Sequence, residues 1–263
     1  MTHPISDRVR LSARIREFRP WESDEKCYEF DAETSTIFLI EPQKSQNWNK
    51  THDSSMYMTF DHVFDSDCDN MDVFQGTAKT LCDNIIETGF NSLLCGFGQI
   101  GSGKTYTLLG DQDAKVKGVL TQAIEYLLHH ESGRVSKCWM KAIELYSTTQ
   151  HHQDEFDLLE QARCSKTLIT MHDPQDSSPE PASVRYMLTR DTDVEELIAK
   201  AQAAGHYAPT SNNPRSSRGN IIFAIEIEMK DGHICHFICL DLAGVQGISA
   251  TSPEFKAEFG IDV

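Results

Sequence analysis

A short apolar run, Ser92-Leu93-Leu94-Cys95-Gly96-Phe97, leads straight into Gly98-Gln99-Ile100-Gly101-Ser102-Gly103-Lys104-Thr105, and a helical pattern resumes at Lys104. Two glycines separated by four residues and followed by Lys and Thr form the phosphate-binding loop pattern. The run before the loop reads as a strand that delivers the chain. The glycines let backbone N–H groups turn inward around phosphate oxygens, and the helix directs its positive end at them. Lys104 is then placed to neutralise the terminal phosphates, and the Thr105 hydroxyl to ligate Mg²⁺. A glycine-rich turn is the bland alternative, and the strand-loop-helix order weighs against it. The segment therefore predicts ATP with Mg²⁺ as the bound group.

A second element points the same way. Residues 234–240 are strongly apolar and end in Asp241, a position suited to a carboxylate that holds magnesium through water. Gly244, three residues on, lets its amide approach the outermost phosphate. By itself a strand-end Asp followed by Gly is more often a turn. Beside a phosphate loop the balance reverses.

Residues 8–18 alternate Val9, Leu11, Ala13 and Ile15 with polar residues and predict a half-buried strand closed by Arg19-Pro20. Further strands are expected at 36–40, 56–64 and 138–146, and a hairpin joins 221–229 to 234–240 through Lys230-Asp231-Gly232. After an Asp-rich turn at 65–70, Asn70 is the candidate cap of one helix over 71–88, ended by Gly89. Helices are also predicted over 104–109, 119–129 and 191–204, the last with Thr192 as cap and Glu195 closing a capping box. Residues 150–185 are polar, punctuated by Pro174, Pro179 and Pro181, and predict a surface excursion.

With 24 Lys+Arg against 40 Asp+Glu the formal charge is −16, which disfavours nucleic acid or an acidic membrane surface as partner. No apolar run approaches the ~18 residues of a membrane span, and the opening residues carry no secretory signal, so intracellular residence is expected. Eight scattered cysteines read as reduced thiols. His233, Cys235, His236 and Cys239 superficially offer metal ligands, but strand alternation puts His236 on the face opposite the cysteines.

At this point the sequence resembles a kinesin motor domain. The family's loop GQTGSGKT, followed by an aromatic, stands here as residues 98–105 with Tyr106. Its first switch, N-x-x-S-S-R-S-H, appears as Asn213-Pro214-Arg215-Ser216-Ser217-Arg218-Gly219-Asn220. Its second, DLAGSE, appears as Asp241-Leu242-Ala243-Gly244-Val245-Gln246. Phe60-Asp61-His62-Val63-Phe64 resembles the F-D-x-V-F strand, Glu144-Leu145-Tyr146 the E-I-Y segment, and Arg19-Pro20 the end of R-x-R-P. The resemblance runs over about residues 8–247 and leaves 248–263 as a diverged tail. It implies a single α/β P-loop NTPase domain, with a mostly parallel central sheet and helices on both faces, incomplete at its C-terminal end. It also implies ATP-driven, microtubule-based movement, with tubulin as partner and the cytoplasm and cytoskeleton as location. Arg19, Pro20 and Tyr106 would border the adenine. Ser216 and Ser217 would close over the γ-phosphate and its magnesium, with Thr105, Ser217 and Asp241 around the metal, and Asn213 would steady the switch.

The departures matter as much. In the family the switch arginine pairs with the glutamate of DLAGSE, whereas Arg218 here would face the uncharged Gln246, so turnover is expected to suffer more than binding. Gly219 and Asn220 replace Ser and His and are expected to loosen the first switch. Glu17 replaces the first arginine of R-x-R-P, and Ile100 a loop threonine. The track-binding helices of the family are not recognisable in 248–263. Asp173, Asp176 and Glu180 stand where a protein gripping acidic tubulin would want Lys or Arg, although solvated surface charge explains them equally well. A nucleotide-binding pseudo-motor or adaptor is the competing class. An unrelated P-loop ATPase or kinase would leave the two switches unexplained, and a poorly folding fragment stays open.

Overall fold

The computed structural model describes residues 9–18, 28–40, 56–147, 153–164, 185–205, 207–210, 213–217 and 219–244. The chain divides into two compact units, Met1–Asp72 and Val73–Val263.

The first unit carries β1 (Ser12–Arg14), β2 (Tyr28–Asp31), β3 (Thr36–Leu39), β4 (Tyr57–Thr59) and β5 (His62–Phe64). β2, β3 and β4 form an antiparallel sheet, and β1 pairs with β5 in parallel. Residues 56–64, expected as one strand, change partner midway. The Phe60 amide donates to the Ser35 carbonyl at 2.9 Å, whereas the next amide, Asp61, donates to Leu11 at 2.7 Å. The expected strand over 8–18 shrinks to three residues, with Val9 and Leu11 exposed, because β5 offers only a three-residue edge to pair with.

From Asn70 onward the order is α1 (Asn70–Gly76), α2 (Ala78–Thr88), β6 (Ser92–Gly96), α3 (Lys104–Leu109), β7 (Gly110–Asp111), β8 (Val116–Lys117), α4 (Val119–His129), β9 (Val135–Ser147), β10 (Gln153–Asp157), β11 (Ala162–Cys164), β12 (Tyr186–Leu188), α5 (Val194–Ala204), β13 (Tyr207–Thr210), β14 (Asn213–Ser217), β15 (Asn220–Met229) and β16 (Ile234–Asp241). The helix expected over 71–88 breaks at Thr77 (φ −130°, ψ −82°). The Thr77 hydroxyl donates to the Val73 carbonyl at 2.5 Å, taking the acceptor that its own amide would use in an unbroken helix. Gly89 ends α2 in the left-handed conformation, as expected, with its amide on Ile85 O.

Two caps move by one residue. Asp69, not Asn70, accepts from the Met71 and Asp72 amides at 2.7 and 2.9 Å, while Asp72 returns a bond to the Asp69 amide. Asn70 Oδ1 instead accepts from Arg14 at 2.5 Å. Asp193, not Thr192, accepts from the Glu196 amide at 2.9 Å, because the Thr192 hydroxyl is engaged by the Thr189 amide.

The main sheet runs β11-β10-β9-β15-β16-β6, with β12 also on β9. Only β16–β6 is parallel among its six pairings, so the expected mostly parallel sheet is corrected among the described residues. Short connections decide this for β9–β10, β10–β11 and β15–β16, since tight turns produce antiparallel neighbours. Within 150–185, expected as a polar excursion, β10 and β11 extend the sheet, and residues 165–184 lie outside the described residues.

β15 shows how the sheet is buried. Ile221, Phe223, Ile225 and Ile227 on one face are at most 1% exposed, beside Met140, Phe237 and Cys239 of the neighbouring strands. α2 packs on β6 and β16, and α4 on β9. On the opposite face Ile222 and Ile143 pack with Leu145, Ile238 and Leu240. That face turns polar toward Met229, where Lys137 pairs with Glu228 at 3.2 Å, Arg185 pairs with Glu226, and the Arg185 guanidinium lies 4.5 Å from the Trp139 ring centre. Cys68, Cys82, Cys95, Cys138, Cys235 and Cys239 are free thiols, and burial pushes the Cys138 thiol up to about 12. Cys235 and Cys239 lie buried in β16, and the His233 ring sits 3.0 Å from Gly89 O. No helix among the described residues is long and apolar enough to cross a membrane.

Candidate nucleotide site

The parallel β16–β6 pair of the main sheet builds the site. Asp241 stands opposite Gly96 in the β16–β6 register, so both strands run out at the same end of the sheet. The loop after β6 and the turn after β16 are thereby set side by side. Crevices outside the carboxyl ends of parallel strands are where α/β sheets bind ligands.

The loop makes a tight turn, with Ser102 N on Gln99 O at 3.2 Å, and enters α3 through Gly103 in the left-handed conformation (φ 96°). Gly101 has φ 80°. L-residues adopt such angles at a cost, which is the reason glycine stands at both positions. α3 has no side-chain cap, and its first intrahelical bond runs from Thr107 N to Gly103 O. The amides of Lys104 and Thr105 thus precede the helix's own hydrogen-bonding ladder. Lys104 Nζ folds back onto the loop, donating to Gly98 O at 3.0 Å and Gln99 O at 2.9 Å.

The Thr105 hydroxyl donates to Asp241 Oδ2 at 2.7 Å, closing the loop onto the strand end. Asp241 is 1% exposed, and its Oδ1 has no hydrogen-bond partner among the described residues, nor does the buried Ser102 hydroxyl. Burial raises the Asp241 carboxyl above the usual carboxylate range, partly offset by the Thr105 bond and the Lys104 charge. Burial likewise lowers the Lys104 ammonium, with Asp241 opposing it. A buried carboxylate with an open lone-pair set next to a threonine hydroxyl suits a hard, mostly water-coordinated Mg²⁺ that shares phosphate oxygens. Among the described residues no group of three or more His, Cys, Asp or Glu forms a self-sufficient metal site. The donors therefore fit magnesium that arrives with a phosphate group.

Because the folded, nucleotide-free chain holds the Asp241 proton more tightly than the unfolded chain, this carboxyl's contribution to stability is fully present below pH 3.8. It is lost as the pH rises through the raised value. Asp241→Asn is accordingly expected to raise nucleotide-free stability at neutral pH by about 1 kcal/mol, while lowering Mg²⁺-dependent nucleotide affinity by at least ~10-fold. Thermal melts with and without Mg·ATP check both halves.

Gly98, Gln99, Ile100, Gly101, Ser102, Gly103, Lys104, Thr105, Tyr106, Asp241 and Gly244 all lie within the described residues, and the loop, Asp241 and Gly244 come together. Tyr106 is on the first turn of α3, 41% exposed. Asn213, Ser216 and Ser217 lie on β14, which pairs with β13, and their side chains, like Arg19, Pro20, Arg218 and Gln246, lie outside the described residues. Sequence reasoning missed how tightly the second switch rests on the loop. A Cβ at Gly244 would come 2.3 Å from Ile100 Cγ1 and 2.7 Å from its backbone N. Gly219, expected to loosen the first switch, instead fits a tight space. A Cβ there would lie 2.5 Å from Glu144 Cγ, and Glu144 is fully buried. The only sequence signal was the placement of glycines at these two positions.

Strand, glycine loop, helix and neighbouring strand-end carboxylate together define a P-loop nucleotide-binding domain. The kinesin motor domain family matches residues 14–258. Over 217 residues, 73% of this chain and 15% of the relative, the sequence is 30% identical to kinesin-like protein KIF27 of Rattus norvegicus. It is 30% identical over 235 residues, 87% of this chain and 18% of the relative, to kinesin-related protein 13 of Dictyostelium discoideum. With kinesin-like protein KIN-UA of Oryza sativa subsp. japonica it shares 27% over 224 residues, 84% of this chain and 22% of the relative. The chain belongs to the kinesin motor domain family. It spans less than a quarter of the length of each of these relatives. Kinesin motor domains in general use a nucleotide with Mg²⁺.

Proposed function

We propose that this chain binds ATP with Mg²⁺ and hydrolyses it slowly, as a kinesin-type domain whose inherited task is microtubule-based movement in the cytoplasm. The observation that carries the reading is the 2.7 Å Thr105–Asp241 bond, with the open Asp241 Oδ1 beside it. Lys104 exchanges the two loop carbonyls for phosphate oxygens, and the phosphate charge offsets the burial that disfavours its ammonium. Thr105 and Asp241 would hold the magnesium, with Ser217 as the further ligand that the family pattern implies. Ser216 would close over the γ-phosphate, Asn213 would steady that segment, and the Gly244 amide would meet the terminal phosphate. Tyr106, on the first turn of α3, would border the adenine. The bound metal supplies charge neutralisation of the phosphates.

Slow turnover would follow if Arg218 meets Gln246 as the family pattern implies, because phosphoryl transfer depends on positioning and electrostatics and an amide replaces a charge. Gln246→Glu is expected to raise basal hydrolysis about 10-fold, the worth of one charge-assisted contact, with nucleotide affinity nearly unchanged. Phosphate release under single-turnover conditions reads this out. No gain would favour the second reading, a nucleotide-binding pseudo-motor that docks to a partner without stepping, which the same Gln246 supports. The formal charge of −16 argues for weak stimulation by acidic tubulin in either case. Equilibrium binding of a fluorescent ATP, with and without Mg²⁺, tests the central claim, with Lys104→Ala as control.

A further inference from the structure

Gly219 and Asn220 depart from the kinesin pattern, and the structure gives the pair a job. Asn220 opens β15, pairing with Leu145 of β9, and its Oδ1 accepts a hydrogen bond from the Ala243 amide at 2.9 Å. Ala243 immediately precedes Gly244, whose backbone rests on Ile100 of the phosphate loop. On the other side of Asn220, Gly219 is buried against Glu144, where a Cβ would lie 2.8 Å from the carboxylate Oε1 and 2.9 Å from Leu145 O. An unbroken line of contacts thus runs from β9 through the end of the first switch and the second switch to the phosphate loop.

We infer that Asn220 is a positioning residue that ties the two switch segments together, so that a terminal phosphate met at one is transmitted to the other. The inference rests on the nucleotide-binding reading above. Gly244 sits so close to Ile100 that a Cβ there would lie 2.3 Å from Ile100 Cγ1, and the Ala243 amide next to it is held by the short Asn220 side chain, so a movement of Gly244 toward a terminal phosphate would pull on both. Any such shift either breaks that bond or carries the start of β15 with it. The bond is neutral, and screening by salt weakens it far less than an ion pair. It therefore couples the switches in a chain where Arg218 and Gln246 cannot form a salt bridge. A mere strand-end cap would predict a general loss of stability without nucleotide selectivity.

The test uses the full chain as wild type, Asn220→Ala and Asn220→Asp, the last retaining a side-chain oxygen acceptor. Affinities for Mg·ADP and for a slowly hydrolysed Mg·ATP analogue are measured at low and high salt, with hydrogen exchange followed at the Ala243 amide. Asn220→Ala is expected to leave ADP affinity within about twofold and to lower triphosphate affinity about 5–10-fold, the span of one net hydrogen bond. Faster exchange at Ala243 should accompany the loss, and Asn220→Asp should recover most of it. The inference is overturned if Asn220→Ala weakens both nucleotides equally or neither, or if Asn220→Asp behaves like Asn220→Ala. A wild-type chain that binds ADP normally but shows no such effect of Asn220→Ala overturns the inference alone. One that binds neither nucleotide overturns the functional reading and the inference with it.

Discussion

Lys104→Ala is expected to lower affinity for Mg·ATP by at least 100-fold. The Nζ is within hydrogen-bond reach of two loop carbonyls, so it already sits at the centre of the cradle that the phosphates would enter. Each charge-assisted hydrogen bond lost is worth about 1.5–3 kcal/mol, and two of them span roughly 10²–10⁴ in affinity. Folding should be little affected. The ammonium is disfavoured by its burial, and the carbonyls it releases lie on a part-exposed loop open to water. Isothermal titration alongside a melting curve separates the two effects. A variant that keeps its fold and binds within threefold of wild type would remove Lys104 from the site, and the phosphate-loop reading with it.

The second large effect is on stability. Phe237→Ala is expected to cost about 3–5 kcal/mol, the usual range for deleting a buried aromatic ring. Phe237 is fully buried at the middle of β16, between Ile225 of β15 and Ser92 of β6. That loss is a large share of the ~5–15 kcal/mol that holds a typical domain. It should lower the melting temperature by on the order of 10 °C. Nucleotide binding would weaken with it, since β16 is what carries Asp241 to the loop. Ile234→Ala, at the exposed start of the same strand (48% exposed), is the control and should cost well under 1 kcal/mol. Equal losses for the two variants would mean that the β15–β16–β6 core is not packed as described.

Local pattern carried a good part of this reading. The helices at Lys104–Leu109 and Val119–His129 follow directly from apolar spacing, and the β15–β16 hairpin from alternation around Lys230-Asp231-Gly232. The short cap errors at Asn70 and Thr192 arose because those side chains are taken by Arg14 and the Thr189 amide, leaving the capping to Asp69 and Asp193 one position away, and one position of register is beyond pattern alone. The break at Thr77 was hidden for a related reason. A hydroxyl that captures a carbonyl four residues back leaves no mark on hydrophobic periodicity.

Residue order and spacing are enough to say that a phosphate-binding loop lies between a strand and a helix, that a carboxylate ends a second strand, and that Gln246 stands where the family's switch has glutamate. These are statements about neighbours along the chain, where residue type and spacing are sufficient. It takes the folded chain to put β6 and β16 side by side and parallel, to bring Thr105 to Asp241 across 136 residues, and to set Asn220 on the Ala243 amide. Strand partners are chosen by which faces bury together, and that choice is made by the whole sheet and the helices packed on it rather than by any segment alone.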